Sequence, residues 1–173
     1  MIGFASSRVA AQITLVSVAS YLAGFYFTEL FHAASASLGG LWSSVSAIVV
    51  LQATQRDTLS SAYLRIFGSL IGAITSAAYL SVLPFSPLGM AVSIFLTVLV
   101  CHAIRIPDHA RLAAITVVVI MVITSIDPTL NPLRNAGLRF SEAFIGAALA
   151  VIAALLWPGA KEMPRSPMPG TQD

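Results

Sequence analysis

Arg139-Phe-Ser-Glu142-Ala-Phe-Ile-Gly146-Ala-Ala-Leu-Ala150, running on to Trp157-Pro158, is the stretch that decides the fold, because it has an earlier counterpart. Arg65-Ile-Phe-Gly68-Ser-Leu-Ile-Gly72-Ala73 runs on to Pro84, and each matched position lies 74 residues upstream. Arg139 answers Arg65, Gly146 answers Gly72 and Pro158 answers Pro84. In both copies an arginine opens an apolar helix with small residues at offsets that return to one helical face. At the third offset the copies differ: Gly68 stands in the first and Glu142 in the second. Two related halves are therefore expected, with function sought where they diverge.

The composition places this chain in a bilayer. Of its 173 residues, 57% are hydrophobic and 9% charged, against about 25% charged in ordinary soluble domains. Mean hydropathy is +0.88, and the apolar runs extend along the whole length. A net charge of +2 is too small and scattered for a nucleic-acid partner. The single cysteine, Cys101, lies inside an apolar run and reads as a small buried residue.

Taken in order, the chain predicts six transmembrane helices. The first covers Val9 to Phe31, too long for the ~7–15-residue apolar core of a signal peptide, although Ala34-Ser-Ala36 resembles a cleavage site. The second runs from Leu38 to Gln52, with Trp42 expected near an interface and a serine-rich body suited to facing other helices or a wet cavity. After the polar connection around Arg56-Asp57, the third spans Leu59 to Leu83, and Pro84-Phe-Ser-Pro87 turns the chain. The fourth covers Leu88 to Ile104, the fifth Leu112 to Ile126, and the sixth starts between Leu133 and Leu138 and ends at Trp157. The expected membrane domain is 1–158, with repeats at about 9–84 and 88–158 and a disordered cytoplasmic tail at 159–173, where four prolines sit among polar residues.

Six spans put both termini on one side. That side would hold Arg8, Arg56, Arg65, Arg105, Arg111, Lys161 and Arg165, and the other only Arg134 and Arg139. Basic residues favour the cytoplasm, so both termini are expected there. With three helices per half, the second repeat is inverted relative to the first, an arrangement many transporters use to build sites at the repeat interface.

Gly68-Ser-Leu-Ile-Gly72 is a GxxxG motif extended by Ala73 and Ser76. Ala143, Ala147, Ala150 and Ala154 do similar work beside Gly146 on the sixth helix, and the expected role is close packing of the third and sixth helices. Glu142 lies one turn deeper than Arg139, where a carboxylate is costly unless paired or wet. Two readings stay open: a local pair with Arg139, or a carboxylate that takes and releases a proton, its charged form disfavoured by burial and favoured by Arg139. Arg65 and Arg139 are candidate holders of an anionic substrate, since a guanidinium grips a carboxylate through two parallel hydrogen bonds. Arg65 reads equally as a snorkelling residue. Asp127, Arg134 and Arg139 fall on the external side as a candidate vestibule. Glu29 and His32 have the spacing of half a di-metal ExxH site, but no second ExxH exists, so a wet interfacial pair is expected and no metal. His102 and His109 have no ligand spacing to other residues. No nucleophile elbow, phosphate loop or catalytic triad is visible, so neither an enzyme nor a cofactor is expected.

Leu41-Trp42-Ser-Ser-Val-Ser-Ala-Ile-Val-Val-Leu51-Gln52, then Asp57-Thr58-Leu59, then Arg65 to Ala73, resembles the membrane domain of the fusaric-acid-resistance-like (FUSC) proteins. That family includes the bacterial aromatic acid exporters, and the plant aluminium-activated malate transporters are similar. The pattern Arg139-x-x-Glu142-x-x-x-Gly146-x-x-x-Ala150, closing on Pro158, is similar too. The match covers residues 41–84 and 121–158, and the first helix loosely. The resemblance implies a six-helix inner-membrane unit that moves organic anions, often aromatic carboxylates, with efflux driven by the proton gradient. Substrate binding then falls to Arg65, Arg139 and Arg134, and proton coupling to Glu142. This sequence departs from the family at Ala53, where a proline is common, and most members also carry a large cytoplasmic domain, which is not expected here. A homodimer or larger homo-oligomer is therefore expected. A passive anion channel and a non-transporting membrane subunit remain as alternatives.

Overall fold

Prolines and short polar caps cut the apolar sequence into helices. In the computed structural model, which describes residues 4–157, these are α1 (Phe4–His32), α2 (Ala36–Val50), α3 (Gln55–Leu80), α4 (Pro87–Ala103), α5 (Ala110–Ile126) and α6 (Pro132–Leu156). Short 3₁₀ turns at Ala33–Ser35 and Pro107–His109 precede α2 and α5, and no strand occurs among the described residues. The expected tail at 159–173 and the repeat-closing Pro158 lie outside the described residues.

Local chemistry fixes the starts. α3 begins earlier than the hydropathy suggests, taking in Arg56 and Asp57. The Thr54 hydroxyl oxygen accepts from the Asp57 backbone N–H at 3.1 Å and the hydroxyl donates to the Asp57 carboxylate at 2.8 Å. Ser86 caps α4 by accepting from the Gly89 N–H at 3.0 Å, with Pro87 in the first turn. Asn131 caps α6 by accepting from Leu133 at 2.9 Å and Arg134 at 3.3 Å, again ahead of a proline. α4 ends in a Schellman turn: Ile106 N–H donates to the Cys101 carbonyl at 2.9 Å, and Arg105 takes the left-handed conformation at φ 62°.

α1 and α2 fold back on each other as an antiparallel hairpin. The buried stripe of α1 repeats every four residues as Val16, Ser20, Gly24 and Thr28. A Cβ at Gly24 would stand 2.6 Å from the Gly39 carbonyl oxygen, so the two backbones are as close as they can come. α6 packs on α2, α3 and α1, while α3 packs on α5, α6 and α4; α4 also packs on α5. The α3 and α6 directions are opposed, since Gln55 at the start of α3 donates to the Ala154 carbonyl near the end of α6 at 2.9 Å.

α3 and α6 pack on each other as expected, but their glycines face other helices. Gly68 and Gly72 face α5, where a Cβ on Gly68 would lie 2.9 Å from Leu112 Cβ and one on Gly72 2.8 Å from Thr116 Cβ. Gly146 faces α2, where a Cβ would strike the Ser43 carbonyl oxygen. Each small-residue face thus seats a neighbour from the other half of the chain.

Four helical stretches are long and apolar enough to cross a membrane: Ser7–Val50, Gln55–Leu80, Pro107–Ile126 and Pro132–Leu156. The first contains the whole α1–α2 hairpin, and α4 is shorter, at 17 residues. Large apolar side chains such as Leu30, Val82, Leu88 and Leu156 are exposed, as lipid contact requires. The interior mixes large apolar side chains such as Val117, Ile120 and Met121 with serines, threonines, alanines and three charged residues of α3 and α6.

Candidate anion and proton site

The inward face of α3 carries Thr58, Ala62, Arg65, Ser69, Gly72 and Ser76, so helical periodicity alone drives Arg65 into the core. Its side chain is 1% exposed. Nε and Nη2, which share one edge of the guanidinium, both donate to Ser46 Oγ, at 3.1 and 2.8 Å. Ser46 in turn donates its own proton to the Trp42 carbonyl at 2.8 Å, which leaves its lone pairs to the arginine. The guanidinium carbon lies 4.6 Å from the centre of the Trp42 ring. Trp42 is therefore buried as a platform for the guanidinium. It lies four residues before Ser46, so one face of α2 supplies both contacts.

Among the described residues no carboxylate lies within ion-pair distance of Arg65; the pairs are Arg139–Glu142 and His32–Asp127. A buried cation held only by neutral groups is uncommon, because desolvating a charge is costly unless it is paired.

On α6 the inward face brings Asn135, Arg139, Glu142 and Gly146 together. Arg139 and Glu142 are both fully buried, with Nη2 2.9 Å from Oε1. The angle at Nη2 falls outside hydrogen-bond geometry, so this is a charge contact more than an aimed bond. Thr28 of α1 donates to the same Oε1 at 2.6 Å. Gly39 of α2 closes the third side: a Cβ there would collide with Thr28 Oγ1 and stand 2.9 Å from Oε1. None of the three guanidinium nitrogens of Arg139, nor Oε2 of Glu142, has a hydrogen-bond partner. This ion pair is half satisfied, an expensive state in a low-dielectric interior.

Arg65 and Arg139 are thus both in the core, in separate settings. Arg134 is not with them. It is exposed in the first turn of α6, so the expected external vestibule of Asp127, Arg134 and Arg139 does not form one surface. Asp127 instead accepts from the Thr129 N–H at 3.1 Å and faces His32 Nε2 at 4.0 Å. His32 also bonds Ser35 Oγ at 2.9 Å, so its partners lie in the turns and not at Glu29. Among the described residues no group of three or more His, Cys, Asp or Glu is placed to hold a metal.

His109 is buried against the edges of Tyr63 and Phe67, at 5.3 and 6.2 Å, with both ring nitrogens unpartnered. Cys101 is buried beside Ala110 and Ala113. A groove of about 240 Å³ lies between α1 and α6, lined by Leu15, Val16, Ile152, Leu156 and Trp157 among others. It is apolar and contains neither arginine, so it does not mark the charged site. Thr28, Ser46 and Gly39 were not legible as site residues, since their partners lie on other helices. The four-residue spacing of Val16, Ser20, Gly24 and Thr28 was the available signal.

An all-helical bundle with apolar outer faces and charged residues sealed inside defines a multi-pass membrane protein. The family model for fusaric acid resistance protein-like sequences matches residues 15–153, and the chain belongs to that family. The family places it among membrane transport proteins. No curated protein and no solved structure matches it.

Proposed function

We propose that the chain is an inner-membrane exporter of organic anions, above all aromatic carboxylates. Arg65 and Arg139 hold the carboxylate, Arg134 draws it electrostatically at the external mouth, and Glu142 carries a proton. The observation that carries this reading is Arg65: a cation 1% exposed with no acidic partner among the described residues. Such a group invites an anion that arrives and leaves, because a permanent counter-charge would close the site. The family name concerns resistance to fusaric acid, itself an aromatic carboxylic acid, which fits the proposed cargo.

All six helices span the membrane in this reading, as two inverted repeats with cytoplasmic termini. The packing supports it. α1 on α2 corresponds to α4 on α5, α2 on α6 to α5 on α3, and α1 on α6 to α4 on α3. Buried Ala62, Arg65, Gly68, Ser69, Gly72, Ala73, Ser76 and Leu80 each have a buried partner 74 residues on, from Ala136 to Ala154. Arg65 and Arg139 are inside the bundle, so they leave the topology count. The remaining balance is six basic residues against one, which still favours cytoplasmic termini. The working unit is a homodimer or larger assembly.

The test is flux of labelled organic anions in proteoliposomes containing only this chain, with and without a pH gradient. Wild-type flux that falls at least tenfold in Arg65→Gln and Arg139→Gln, at equal insertion, is expected. Undiminished flux in both variants would overturn the reading. Flux that ignores the pH gradient would make the protein a passive anion channel.

A further inference from the structure

The groove between α1 and α6 is graded from one end to the other. The two helices run antiparallel, since Thr28 meets Glu142 while Val16 clusters with Ala147 and Ala150. Gln12, one turn before Val16, therefore shares an end of the groove with Trp157, the residue that follows α6. Inward from that rim the walls are wholly apolar, with Leu15 and Ala19 on α1 and Leu149 and Ile152 on α6. Leu15, Ile152 and Leu156 are half or more exposed, so the groove opens sideways toward lipid and not toward the bundle interior.

Arg8 extends the same face of α1. Positions 8, 12, 15 and 19 follow one another by four, three and four residues, which returns them to one side of a helix. One column therefore reads, from the start of α1 inward, cation, amide, apolar. Arg8 is exposed and has no acidic partner among the described residues. Four residues of helix rise about 6 Å, which sets the guanidinium a clear step outside the amide. A phospholipid lying along the helix presents its parts in this order: phosphate, ester carbonyls, acyl chain. Trp157 at the rim suits the same placement, because tryptophan settles at the level of lipid headgroups.

We infer that this groove is a binding site for an anionic phospholipid, with an acyl chain between α1 and α6, its ester carbonyls at the Gln12 amide and its phosphate at Arg8. The occupant is a lipid and not a second copy of the chain. A space of about 240 Å³ is slender for a helix, whose diameter with side chains is about 10–12 Å, and suits an unbranched chain. An anionic headgroup is favoured because a zwitterionic one brings its own ammonium to the guanidinium and cancels the attraction. The headgroup end is the end of the termini, which is the cytoplasmic leaflet in the topology proposed above. The site contains neither Arg65 nor Arg139 and does not depend on the anion cargo.

The experiment is native mass spectrometry of the purified full chain, titrated with phosphatidylglycerol and with phosphatidylcholine of matched acyl chains. Wild type is expected to hold one phosphatidylglycerol about fivefold more tightly than phosphatidylcholine, the worth of one basic residue beside anionic lipid. Arg8→Gln should bring the two lipids level by weakening phosphatidylglycerol alone. Ile152→Trp adds bulk at a half-exposed wall of the groove, where the core is not disturbed, and should weaken both lipids. Equal binding of the two lipids by wild type, or a preference that survives Arg8→Gln, would overturn the anionic assignment. Lipid binding unchanged in Ile152→Trp would overturn the groove as its place. Lipid-free dimers that Ile152→Trp dissolves would give the groove to a second copy and overturn the inference as well.

Discussion

α3 and α6 place an arginine at matched positions and surround it differently. Arg65 is held by Ser46 and Trp42, both neutral, and Gly68 stands one turn further on. Arg139 is held by Glu142, which occupies the position equivalent to Gly68. The first setting leaves a positive charge with no carboxylate beside it among the described residues; the second pairs it with one. Divergence at a single position, Gly68 against Glu142, separates the two.

The largest way to break this comparison is to remove each arginine in turn. Arg139→Ala strands a buried carboxylate and should cost about 3–5 kcal/mol. Arg65→Ala strands no charge, since Ser46 keeps its bond to the Trp42 carbonyl, and should cost less, about 1–3 kcal/mol. Thermal unfolding in detergent at neutral pH measures both. The Arg139→Ala loss should shrink in the double variant with Glu142→Gln. Equal losses for the two single variants would mean that the settings do not differ in charge balance.

Next come the glycine faces. Gly72→Ala and Gly146→Ala push a methyl into α5 and α2 respectively, and each should cost about 1–3 kcal/mol by overpacking. Gly137→Ala, where a Cβ would meet nothing within 4 Å, is the control and should be neutral or slightly stabilising. A neutral Gly146→Ala would show that α6 does not seat on α2 as closely as described.

The chain reversals sharpen the comparison at smaller scale. Before α6, the Thr129 hydroxyl and backbone hold the Asp127 carboxyl below its ordinary range, helped by His32. A depressed folded pKa contributes stability that is present above the unfolded value and lost as pH falls through the folded one. Wild type should therefore lose a little stability on acidification through the carboxylate range, and Asp127→Asn should flatten that slope in a pH series of melting curves. Before α5, Arg105 sits at φ 62° without the freedom of glycine. Arg105→Gly should raise stability by up to about 1 kcal/mol, read as a small increase in melting temperature.

The 74-residue correspondence made much of the fold legible, because buried positions in a helix follow from spacing alone. The same spacing placed Arg65, Arg139 and Glu142 on inward faces. Contacts between helices were less accessible. The GxxxG motif announces a close neighbour without saying which, so the partnership of Gly68 and Gly72 with α5 had to come from the packing. The role of Trp42 as a platform for Arg65 was hidden because the two residues lie on different helices. Thr28 lies 114 residues from Glu142, a separation no local pattern bridges. Arg134 looked like a companion of Arg139 until its first-turn position left it exposed.

The most direct test of the central claim is to locate a bound anion. Crystals of the protein grown with 3-iodobenzoate would report the iodine by anomalous scattering and the carboxylate in the accompanying density. The account predicts a carboxylate at the guanidinium of Arg65 or Arg139. Iodobenzoate found solely in the apolar groove between α1 and α6, with both buried arginines unchanged, would contradict it.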